Sequence, residues 1–122
     1  MIELTGLLTL KDWDMVSEHA TQVLRELGVL QREMENVGLW SDLSPSDEAM
    51  MSSQPFCCDT MSFTNWLQWI FVPRMRYMVE ANAQLPSKSA MYPMAAEALV
   101  DMQDESKGIL DSVKRLDMLL SA

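Results

Sequence analysis

The chain has 122 residues, 48% of them hydrophobic, and carries a formal charge of −9 with a pI near 4.4. That length fits one domain with its own core and leaves no room for a second. The acidic balance argues against direct binding to nucleic-acid phosphates or to anionic membrane surfaces, since both need clustered positive charge.

Residues Met1 to Leu10 are partly apolar, but they include Glu3, lack a basic leading segment and are too short for a signal peptide. They read as an N-terminal extension, 1–11, ahead of a single domain, 12–122. No run of 18 apolar residues occurs, so no membrane span and a cytoplasmic location are expected.

Trp13 to Val37 has helical periodicity. Apolar residues at Trp13, Val16, Ala20, Val23, Leu24, Leu27, Leu30, Met34 and Val37 form one stripe at steps of three and four. Asp12 suits the N-cap and Gly38 the C′ position. The next segment, 40–61, holds Pro45, Pro55 and several Ser and Asp residues without a period. It reads as a long connection, with a helical turn starting at Ser44-Pro45-Ser46 and with Trp40, Phe56 and Met61 available to pin it.

Ser62 to Asn82 is the most apolar helix. Trp66, Leu67, Trp69, Ile70, Phe71 and Val72 surround almost its whole circumference, as in a helix buried on all sides or shared between core and interface. Pro73 cannot donate to the carbonyl of Trp69, so a kink is expected there. A loop around Pro86 leads to a helix over Tyr92–Met102, with Pro93 in its first turn, and to a last helix over Asp104–Leu120. These elements predict an all-α fold: an irregular four-helix bundle with a long ordered loop between its first two helices and a Pro-kinked central helix.

Charge is uneven along the chain. The balance is −7 over residues 1–53, +1 over 54–93 and −3 over 94–122, and seven of the nine aromatic residues fall in the middle stretch. Arg, Trp and Tyr are the residues enriched at interaction hot spots. Either this stretch supplies the core, with its arginines paired to flanking acids, or its edge forms an exposed recognition surface. On the second reading the contact residues are Gln54, Phe56, Trp69, Arg74 and Arg76, with Asp59 organising the loop, while Trp66, Leu67 and Ile70 anchor the core.

Catalytic chemistry has little to stand on. His19 is the single histidine, Cys57 and Cys58 are adjacent, and no Gly-rich phosphate loop, CxxC pair or nucleophile elbow is present. Two thiols with one distant histidine do not make a zinc site, and adjacent cysteines do not form an ordinary disulfide. No metal, cofactor or catalytic residue is assigned. Twelve Met residues serve first as core filler, and secondarily as material for an adaptable groove.

Gln54-Pro55-Phe56, Asp59-Thr60-Met61, Trp66-Leu67-Gln68-Trp69 and Pro73-Arg74-Met75 together resemble the YqcC-like family of small bacterial proteins. Leu85-Pro86 and the helix after Tyr92 fit as well. The resemblance spans about Trp13 to Leu120, and the extension at Met1–Leu10 is longer than the family's usual start. It implies an all-helical bundle and no known activity. Genes of this family often stand beside one for a tRNA pseudouridine synthase, which makes a non-enzymatic adaptor for that enzyme the leading expectation. Homodimerisation through the same patch competes with it. The alternative is a small-molecule-binding or catalytic protein with a pocket between the 40–61 loop and the 62–82 helix.

Overall fold

The computed structural model describes the backbone of residues 2–121 and the side chains of residues 18–121 apart from Gln103. Among the described residues the α-helices are α1 (Ile2–Asn36), α2 (Asp47–Met50), α3 (Phe63–Trp66), α4 (Val72–Glu80), α5 (Tyr92–Ala98) and α6 (Lys107–Leu120). A π turn, Leu67–Phe71, joins α3 to α4, so one helical body runs through 63–80. With α1, α5 and α6 it makes the irregular four-helix bundle. No strand occurs among the described residues.

The first helix begins far before Asp12, which is therefore not its N-cap. Residues 2–11 contain no proline and are rich in Leu, so nothing in them stops a helix. Trp13 and Val16, the first members of the expected stripe, lie outside the described side chains. From there Val23, Leu27, Leu30 and Met34 are fully buried as expected, Ala20 and Val37 are half-buried, and Leu24 is exposed, so the stripe is narrower than its apolar residues suggest. At the other end Gly38 adopts φ 77°, where a Cβ would be strained. Its N–H donates to Glu35 O (3.1 Å) and that of Leu39 to Met34 O (2.8 Å), which is the Schellman closure.

Helix α6 lies antiparallel to α1. Gly108 sits beside Glu33, Ser112 beside Glu26 and Leu119 beside His19. Ile109, Val113, Leu116 and Leu120 meet the α1 stripe with almost no exposure. A polar brace flanks this seam. Glu26 accepts from Ser112 Oγ (2.7 Å) and from Arg115 Nε (2.9 Å). The hydrogen bond to Glu26 pushes the Arg115 guanidinium above its already high usual range.

The distortion expected at Pro73 takes the form of the π turn. Val72 N–H donates five residues back to Leu67 O, widening the helix just ahead of the residue that has no N–H to give. Leu67, Ile70, Phe71, Val72 and Met75 are buried, and Phe63 with them. The helix starts with a cap on Ser62, whose Oγ accepts from Asn65 N–H (3.2 Å). It ends with a second Schellman closure through Asn82 at φ 58°, with Asn82 N–H on Val79 O and Ala83 N–H on Met78 O.

Helix α5 is shorter than the sequence suggests, stopping at Ala98. Leu99 turns inward and is buried, and a turn followed by the 3-10 segment Gln103–Ser106 leads into α6. No side chain of its own caps α5. Asp117 of α6 does so instead, accepting from Met91 N–H (2.9 Å), Tyr92 N–H (2.8 Å) and Ser89 Oγ–H (2.6 Å).

Candidate interaction surface

The 40–61 connection is ordered by its own contacts. Ser46 Oγ caps α2 through Ala49 N–H (3.1 Å), and Thr60 Oγ1 donates to Ala49 O (2.7 Å). Ser52 Oγ donates to Asp59 Oδ1 (2.5 Å), while Gln54 N–H donates to Ser52 Oγ (3.1 Å). Trp40 and Phe56 are half-buried and pack on the core as pins; Met61 is half-buried as well. The strongest tie was not legible in the sequence. Gln68, nearly fully buried on the π turn, donates Nε2 to Ser41 O and accepts Ser41 N–H on Oε1, both at 2.7 Å.

Phe56 and Cys57 sit at φ 56° and 49°, the left-handed region that costs a side-chain-bearing residue roughly 1–2 kcal/mol. That conformation lets the Phe56 ring meet Trp66 edge-on at 4.9 Å and Phe63 at 5.5 Å. Trp66 stacks in turn on Phe63 and Phe71. Aromatic pairs of this geometry return about 0.5–1.5 kcal/mol each beyond burial, so the two that Phe56 makes offset part of the strain.

The residues expected to form a contact surface are therefore divided. Gln54, Asp59 and Arg74 are exposed. Phe56 is half-buried in the aromatic cluster. Trp69 is half-buried too, and its indole Nε1 is enclosed without an acceptor among the described residues. Arg76 is half-buried and donates Nη2 to Gln31 Oε1 of α1 (3.0 Å), which ties α4 to α1. Leu67 lies in the core cluster and Trp66 packs against it, while Ile70 is buried but is not part of that cluster. Most of the aromatic middle is thus core. Its one strongly exposed ring among the described residues is Tyr77, 70% exposed and one helical turn from Arg74.

Two clefts lie elsewhere than between the 40–61 loop and the central helix. One, of about 300 Å³, opens between His19, the 82–87 segment and the end of α6. His19 Nε2 donates to Leu119 O (2.7 Å), satisfying a carbonyl that the end of α6 would leave open. The other, about 350 Å³, is a shallow trough lined by Arg25, Arg115 and Met118. Cys57 is buried and Cys58 exposed, both as free thiols. No metal-binding group of His, Cys, Asp and Glu occurs among the described residues, and no helix there is long and apolar enough to cross a membrane.

Residues 22–119 match the DUF446 family, whose description is tRNA pseudouridine synthase C. The chain belongs to the DUF446, or YqcC-like, family. An uncharacterised protein of Haemophilus influenzae is 40% identical over 83 residues, covering 68% of this chain and 78% of its own. The uncharacterised protein YqcC of Escherichia coli is 33% identical over 98 residues, covering 80% and 87%. The solution NMR structure of Escherichia coli YqcC superposes with a TM-score of 0.75 at 29% identity, covering 84% of this chain and 88% of that one. A protein of Pectobacterium carotovorum named tRNA pseudouridine synthase C is 37% identical over 65 residues, which are 53% of this chain and 17% of that protein. The DUF446 match takes in the 40–61 loop, the central helix and most of the α1–α6 seam.

Proposed function

We propose that this chain is a non-enzymatic accessory protein that docks on a tRNA-modifying pseudouridine synthase. One observation carries the reading: a protein named tRNA pseudouridine synthase C holds, as 17% of its length, a stretch similar to 65 residues of this chain. Joining two units in one chain raises their effective concentration to the millimolar range, which benefits units that work in contact. The acidic charge of −9 supports the same reading, since an enzyme that holds tRNA presents Lys and Arg to phosphates and suits an acidic protein partner.

For the docking surface, the exposed residues of the set read from the sequence are the ones proposed. These are Arg74 on α4, with Tyr77 one turn along, and Gln54 and Asp59 on the 40–61 loop, while Arg76 is not included because it bonds Gln31. The test is titration calorimetry of the purified chain against the pseudouridine synthase of the same genome. We expect a stoichiometric complex, weakened at least about tenfold by Arg74→Glu with Tyr77→Ser. A wild-type chain that releases no binding heat and elutes alone from a sizing column would remove the reading; elution as a dimer would favour self-association.

A ligand-binding role is the second reading, favoured by the cleft beside His19. Ligand binding raises thermal stability by mass action. A shift of several degrees with one compound of a metabolite panel, in the absence of any protein partner, would move the assignment there.

A further inference from the structure

Between Arg32 and Arg74 the sequence has no Lys, Arg or His, while Glu33, Glu35, Asp42, Asp47, Glu48 and Asp59 fall within that stretch. Four of the six acids lie on the 40–61 loop, and all four are exposed. The same loop carries Leu43 and Met51, each 81% exposed, the two most open large apolar side chains among the described residues. A single exposed apolar residue is ordinary on a protein surface. Two on one connection, held in place by the hydrogen bonds of Gln68, Ser46, Thr60 and Ser52, are a different matter. Holding them exposed forgoes burial of about 1.5–3 kcal/mol each, and the ordered backbone lowers the loop-ordering part of the cost of fixing them on a partner.

We infer that the 42–59 loop is the principal docking surface, with Leu43 and Met51 as anchors and its carboxylates facing a Lys/Arg-rich surface of the partner protein. The inference rests on the accessory reading and gives its interface a chemistry. Charge complementarity selects the occupant. The loop is wholly acidic, so a second copy of this acidic chain would be repelled by it, and an acidic or neutral groove would offer its rim nothing. A surface built to hold RNA phosphates, with apolar gaps between its basic side chains, supplies both halves of the match.

The experiment is a binding titration of the purified chain with the pseudouridine synthase from about 50 to about 300 mM salt. Four proteins are compared: wild type, Leu43→Ser/Met51→Ser, Asp47→Asn/Glu48→Gln, and Arg74→Glu/Tyr77→Ser. All the substituted positions are exposed, and circular dichroism with a melting curve checks the fold of each. The expected result has three parts: wild-type affinity falls with salt, the apolar pair weakens binding about tenfold or more at every salt, and the neutral pair weakens it at low salt only. If both loop variants bind like wild type while the α4 variant does not, the loop assignment is overturned and the accessory reading stands. If the wild-type chain does not bind at all, the accessory reading falls and the occupant named here falls with it.

Discussion

The α1–α6 seam and the joint between the 40–61 loop and the central helix are built by different means. In the seam, side chains at regular helical steps on two antiparallel helices bury each other almost completely. Val23, Leu27, Leu30 and Met34 on one side face Ile109, Val113, Leu116 and Leu120 on the other. Its contacts are numerous and non-directional, so its strength is spread over many atoms. The loop joint instead breaks local rules three times, with left-handed Phe56 and Cys57, the π turn and a buried amide side chain. It depends on a few directional contacts, any one of which can be removed by a single substitution. The difference teaches where stability and adaptability are placed: a uniform seam carries the fold, and an individually fastened loop carries the exposed surface.

The largest expected effect lies in the seam. Leu116→Ala deletes a fully buried side chain facing α1 and should cost about 2–5 kcal/mol in urea unfolding, with the transition remaining cooperative. A loss under about 1 kcal/mol would break the comparison, because the seam would then not be the main store of stability.

Asp117→Ala comes next. It removes the acceptor for two backbone N–H groups and a hydroxyl at the start of α5, so about 1–3 kcal/mol should be lost. Asp117→Asn, which keeps an acceptor, should recover part of it.

Gln68→Ala should cost about 1–2 kcal/mol globally. Its sharper signature is local: hydrogen exchange should accelerate at Ser41 and through α2, while amides of α1 and α6 hold. Equal acceleration in both places would show that the loop and the seam open as one unit.

The smallest effect is a gain. Asn82 closes the central helix at φ 58°, where glycine carries no Cβ penalty, so Asn82→Gly should stabilise the chain by about 0.5 kcal/mol in a thermal melt. A loss there would mean that the Asn82 side chain does more than end a helix.

The same division governs how much could be read from the sequence. The seam was legible because periodicity records burial directly: the α1 stripe, the α6 stripe and Gly38 as terminator all follow from residue type and spacing. Elements whose cause lies in another part of the chain were not legible. The α5 cap comes from Asp117, about 25 positions downstream, and the end of α5 at Ala98 has no Gly or Pro to announce it. Pro73 announced a distortion but not its form, since a π turn depends on what surrounds the helix. Arg76 belonged by residue type to a contact surface, yet Gln31 holds it against α1. Tyr77, Leu43 and Met51 were hidden because exposure of an apolar residue has no signature in a single sequence.

The pairing of Gln68 with Ser41 has one more consequence. A carboxamide that both donates to and accepts from the same residue offers that residue what an opposite strand offers in an antiparallel ladder. Gln68 is thus a one-residue strand carried on a helix, and Ser41 is the edge it satisfies. The loop gains the anchoring of a ladder at a single point, on a side chain rather than on a second strand.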